Sequence, residues 1–123
     1  MRQFTAVING KEYLCQTACA KNQFEALHIA GRTGLIAMLK DDSTTDMTMV
    51  VILLQIPFED VKRLVSLLVD KCVTKDSVPV AENLFVDDIS NYYLLIAKVI
   101  RENLAGFWLL QRPNSVTTLE QNS

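Results

Sequence analysis

Cys15, Cys19 and His28 are the residues whose types could together hold a metal ion. Thiolate and imidazole zinc sites are built from closely spaced pairs completed to four ligands. Here the C-x2-C half is missing and no fourth ligand is evident, so no metal is expected. His28 is the single histidine, which rules out a pair of imidazoles acting as acid and base. Beside Phe24 and Leu27 it reads as a partly buried structural residue. The stretch "KDDSTTDMT" has the look of a calcium loop, but counting from Asp42 the sixth position is Met47, where glycine is needed, and the twelfth is Leu53, where glutamate is needed. "GRTG" lacks the longer glycine-lysine pattern that wraps a phosphate in backbone N–H groups, and reads as a helix break. Acidic residues fall singly at helix starts, their ordinary capping and dipole role, and no two make a general acid and base. No catalytic residue and no cofactor is nominated, and the chain reads as a non-enzyme.

The elements that would position any site follow from pattern and composition. Lys and Arg number 12 against 14 Asp and Glu, a formal net charge of -2 that gives no footprint for nucleic acid. The longest apolar run, "MVVILL", is far short of the ~20 residues a membrane span needs. "MRQFTAVING" alternates like a strand and has no apolar core of a signal peptide, so a cytosolic protein with three thiols is expected.

"FTAVINGKEYLC" is the clearest local signal, because Asn9-Gly10 supplies both left-handed positions of a type I′ turn. In that register Phe4, Ala6 and Ile8 face Cys15, Tyr13 and Lys11 on the side expected to lie on helices. Thr5 and Val7 face Leu14 and Glu12 on the other. Phe24, Leu27, Gly31, Leu35 and Met38 then recur at helical steps, with Gly31 and Gly34 predicting a break near Arg32. "MVVILLQI" fits a buried helix or a strand, and helix is favoured because Pro57 then opens a second one as its first residue. Phe58, Val61, Val65, Leu68 and Cys72 form the expected stripe of that helix, widened by Leu64. "TKDSVPVAEN" reads as a connection, and Asp87-Asp88 as the cap of the next helix.

The expected architecture is α+β and mostly α-helical, an N-terminal β-hairpin packed on a small helical bundle. One domain spans residues 1–112, with a hairpin at about 4–16 and helices at about 22–39, 48–72 and 88–108. Residues 113–123 lack periodicity and are expected to be a disordered tail.

On the last helix Tyr92, Tyr93, Ile96, Ala97, Val99, Ile100, Leu104, Phe107 and Trp108 cover about half the circumference, more than the ~100° stripe that one core needs. The excess suggests a second surface, for another subunit or a partner. Phe107 and Trp108 could plug the protein's own core or grip another chain. Phe107, near the middle of the arc, is expected to be structural, and Trp108, at its edge, to face a partner. Tyr93, Leu104, Trp108 and Leu109 are the candidate partner contacts. Asn103 sits inside the apolar arc, where its amide must cap a neighbouring backbone group or fix subunit register.

Taken together, the opening "FTAVINGKEY" hairpin, the "ALHIAGRTGL" and "IPFEDVKRLVSLL" helices and the closing "YYLLIAKVIRENLAGFW" helix resemble the tail assembly chaperones of long-tailed, siphovirus-like bacteriophages, over about residues 4–110. Asn103, Gly106, Phe107 and Trp108 match the way that family's closing helix often ends. The resemblance implies a chaperone in the host bacterial cytoplasm that binds and coats the tape measure protein, helps tail tube assembly and is absent from the mature virion. It further implies a homo-oligomer and a longer product of translational frameshifting that recruits tail tube protein. The competing expectation is a small structural or connector protein retained in the phage tail.

Overall fold

Asn9 and Gly10 take left-handed backbone at φ 53° and 82° and reverse the chain between β1 (Gln3–Ile8) and β2 (Lys11–Gln16). In this computed structural model, which describes residues 1–38 and 45–110, the two strands pair in the expected register, Phe4 opposite Cys15 and Ala6 opposite Tyr13. Ala6, Ile8, Tyr13 and Cys15 are buried, whereas Val7 and Leu14 point outward. A third strand, β3 (Val73–Thr74), pairs antiparallel with β2 inside the stretch expected to be a plain connection. Two residues are too short to show alternation. What holds them in place is a tight turn, in which Val78 accepts a 2.8 Å bond from the Thr74 N–H and Ser77 adopts φ 65°.

α1 (Ala20–Arg32) ends where Thr33 donates its hydroxyl and its N–H back to the Ile29 carbonyl and Gly34, at φ 81°, turns the chain. α2 (Leu35–Met38) follows, so the expected break is present. The face, however, is not the expected one. Ala26, Ile29 and Ala30 are buried, and Phe24 is 77% exposed. Small residues let the neighbouring helix approach, and that contact decides which side turns inward.

"MVVILLQI" is helical. α3 (Asp46–Gln55) starts at Thr45, whose hydroxyl accepts the Thr48 N–H at 3.2 Å, and stops at Ile56, which is extended because a proline follows. α4 (Phe58–Leu68) begins one residue later than expected, since Pro57 is extended and serves as its N-cap, with its carbonyl accepting the Asp60 and Val61 N–H groups. Val61, Leu64, Leu67 and Leu68 are buried, but Phe58 is exposed. A 3₁₀ turn at Val69–Lys71 leads to buried Cys72, which therefore lies beyond the helix.

A second 3₁₀ turn, Glu82–Phe85, precedes α5 (Ile89–Asn103). Asp88 is the N-cap residue without making the expected side-chain cap. Its carboxylate instead accepts the Asn91 side-chain amide at 2.8 Å. α5 ends at Leu104 and α6 (Ala105–Leu109) follows, so the single closing helix is broken in two. α5 is the centre of the fold: it packs on β1, α3, α4 and the second 3₁₀ turn, and Leu95, Ala97, Val99 and Ile100 are fully buried. The protein is α+β and mostly helical, with a three-stranded antiparallel sheet on helices. The expected disordered tail, residues 113–123, lies outside the described residues.

Candidate functional site

The wide apolar arc of α5 is consumed by the protein's own core. Tyr92, Ile96, Val99 and Ile100 are buried, and the two surfaces the arc covers are the sheet on one side and α3 with α4 on the other. Burial within the chain accounts for the width of the arc over α5. Among the candidate contacts, Leu104 is buried and Tyr93 is half-buried against the core, while Trp108 and Leu109 are on α6 with side chains outside the described part. Phe107 is half-buried.

Asn103 is buried within the protein. Its side-chain oxygen accepts the Ala18 N–H at 2.8 Å and the Gln23 amide at 3.2 Å, and its own amide donates to the Val99 carbonyl at 2.9 Å. One side chain thus joins the end of the hairpin, α1 and α5. Next to it Arg2 reaches Glu102 at 2.9 Å, closing the start of β1 onto the same helix end. Asn103→Ala leaves the buried Ala18 N–H without its acceptor and should cost about 1–3 kcal/mol of folding stability in urea titration. A change within error of zero would mean that the three bonds carry no net stability.

α3 presents a surface that the sequence reading did not single out. Met49, Ile52, Leu53 and Ile56 are buried, and the opposite side of the same helix carries Met47, Val51 and Leu54, which are 73%, 41% and 59% exposed. Phe58, 64% exposed, opens α4, with the Lys62 ammonium 5.5 Å from its ring centre. A helix apolar on all sides is normally buried on all sides. The signal was present in "MVVILL", whose lack of a polar side is unusual for a surface helix. A second apolar patch lies on α1, where Phe24, Leu27, His28, Gly31 and Arg32 line a shallow groove of about 320 Å³. His28 is exposed there, not partly buried as expected.

Between these patches the helices are tied by charge. Arg63 grips Glu25 at 2.6 and 2.8 Å, and Arg32 holds Asp60 at 2.8 Å, linking α1 to α4. The hydrogen bonds from Arg63 hold the Glu25 carboxyl below its ordinary range, and Glu25 in turn raises Arg63. A depressed folded-state value means the pair's contribution is present above the ordinary glutamate range and is lost as pH falls through the depressed value. Carboxyl NMR titration should show Glu25 titrating low in the wild type and returning toward the ordinary range in Arg63→Ala. Both groups are solvent-exposed, so the stability change should be small. Identical midpoints would remove the pair as an acid-sensitive contact.

Among the described residues, no group of three or more His, Cys, Asp or Glu side chains is placed to hold a metal ion, and no helix is long and apolar enough to cross a membrane. Fold and surface together define a small, mostly helical α+β protein whose most distinctive exposed features are apolar helix faces. The profile described as "Phage tail assembly chaperone protein, TAC" matches residues 9–115, and the chain belongs to this family of phage tail assembly chaperones. No curated protein and no solved structure gives a significant match.

Proposed function

We propose that the protein binds and coats the phage tape measure protein in the host bacterial cytoplasm, keeps it competent while the tail tube assembles, and leaves before the virion is complete. The observation that carries this reading is α3, whose buried side anchors it and whose outward stripe of Met47, Val51 and Leu54 is left exposed by the other described residues, as is Phe58 at the start of α4. A long helical partner is met well by such a stripe, because a helix face has no free backbone groups to offer and recognises by side-chain packing. Coating also requires adjacent copies to touch, and the buried arc of α5 is not available for that contact. A frameshifted longer form that recruits tail tube protein belongs to the same proposal, as does absence from the particle.

Trp108 and Leu109 are proposed as further contacts from their place at the end of the chain's apolar pattern. Trp108→Ala should lower co-purification with tape measure protein while shifting the folding midpoint little. Equal loss of stability and binding would make Trp108 a core residue instead.

The proposal is tested by co-expressing the protein with tape measure protein and by mass spectrometry of purified particles. Co-purification together with absence from the particle supports it. Stoichiometric presence in the particle would favour the retained structural component, and failure to bind tape measure protein would overturn the coating role.

A further inference from the structure

Cys15 and Cys72 lie far apart in sequence, yet the sheet brings them together. β2 and β3 pair Tyr13 with Thr74 and Leu14 with Val73, and continuing that antiparallel register by one residue sets Cys15 opposite Cys72. The two-residue turn at Asn9-Gly10 directs the backbone hydrogen bonds of Lys11, Tyr13 and Cys15 toward β1. The Cys72 N–H goes to Val69 and its carbonyl accepts from Val80, both at 3.0 Å. Cys15 and Cys72 therefore face each other as a pair without backbone bonds between them, the class with the shorter Cα separation of about 4.5 Å. That is inside the range a disulfide spans. Both side chains are buried on the same side of the sheet, and both thiols are free.

We propose that Cys15 and Cys72 are a reversible dithiol–disulfide pair that staples β3 to the hairpin when a low-molecular-weight disulfide oxidises it. Cys15 is the attacking sulfur. Both thiols are buried, at 4% and 1% exposure, so an oxidant reaches them when the two-residue β3 lifts from β2. The Cys15 thiol donates to the Tyr13 carbonyl at 3.7 Å, and the neighbouring Cys72 thiol holds Cys15 below the ordinary thiol value, whereas Cys15 and burial push Cys72 up. In the first step the Cys15 thiolate attacks one sulfur of the oxidant and releases one thiolate. In the second, Cys72 gives up its proton and attacks the Cys15 sulfur, expelling the other half. The two protein thiols are oxidised to one disulfide and the oxidant is reduced to two thiols. Cys19, exposed at the start of α1, has no such partner opposite it.

The test uses the full chain in glutathione redox buffer, brought to equilibrium, quenched in acid and mapped by mass spectrometry after alkylation in denaturant. The expected result is a Cys15–Cys72 cross-linked peptide, reversed by dithiothreitol, with the melting temperature raised by on the order of 10 °C. Cys72→Ser should leave Cys15 as a trapped mixed disulfide, because the second attacking sulfur is gone. If that variant does not fold, the wild-type map decides alone. The proposal is overturned if Cys15 and Cys72 both remain alkylatable in excess glutathione disulfide, or if Cys19 is the one residue modified.

Discussion

Phe85→Ala should lower folding stability by about 3–5 kcal/mol, among the largest losses available to a single truncation in this protein. The ring is 3% exposed and is held between two tyrosines, 5.9 Å from Tyr13 on β2 and 5.1 Å from Tyr92 on α5, centre to centre. Removing it opens a cavity where the sheet, the second 3₁₀ turn and the central helix meet, and both tilted ring contacts go with it. The same burial pushes the Tyr13 and Tyr92 phenols above their ordinary values, with Asp88 adding to the first and Glu82 and Cys72 to the second. A raised phenol contributes stability below its ordinary value and loses it as pH climbs toward the folded one, so the cluster should weaken in alkali. Urea titration of Phe85→Ala should move the midpoint down with little change in slope. Leu84→Ala, at a neighbouring and 41% exposed position, serves as the control and should cost less than about 1 kcal/mol. If the two substitutions cost the same, Phe85 does not fill the space between the sheet and α5.

That residue also marks where the sequence stops being readable. Phe85 sits in "AENLFVDD", a stretch with turn-forming composition and no period, and its burial depends on Tyr92 in the next helix and on Tyr13, which lies far from it along the chain. The Asn9-Gly10 turn and the stop at Ile56-Pro57 were legible because each is decided by the backbone preferences of two adjacent residues. Helix faces were harder. On α1 the large residue Phe24 was expected inside, yet the buried residues are Ala26 and Ala30 with Ile29, because their small size suits the close contact with α4 that Asn22 makes through the Leu67 carbonyl at 3.1 Å. On α5 the apolar residues from Tyr92 to Ile100 are legible in the sequence, and what covers them is not. A single helix in the middle of a sheet-and-helix core has two neighbours to satisfy, and a wide arc follows without any partner. Asn103 could be named as a buried amide needing bonds, but Ala18 and Gln23 become its partners only when the hairpin and α1 arrive.

The candidate surface was missed for the opposite reason: "MVVILL" was read as all core, and a run without a polar side gives no hint of which half stays outside. Two adjacent leucines now separate the halves. Leu53 is fully buried and Leu54 is 59% exposed on the same helix. Leu53→Ala should therefore cost about 2–5 kcal/mol of folding stability through transfer and cavity terms. Leu54→Glu changes a side chain that water already reaches, and folding should shift by no more than about 0.5 kcal/mol. Binding is another matter. A carboxylate in the Met47, Val51 and Leu54 stripe would have to be desolvated without a partner when a helical chain covers it, and losing such an anchor costs at least about 2 kcal/mol, roughly 30-fold in affinity. The measurement is co-purification of co-expressed tape measure protein alongside urea titration of each purified variant. Wild-type recovery of tape measure protein with Leu54→Glu would exclude the α3 face as the grip. Wild-type recovery with Leu54→Glu combined with loss with Trp108→Ala would move the grip from α3 to α6.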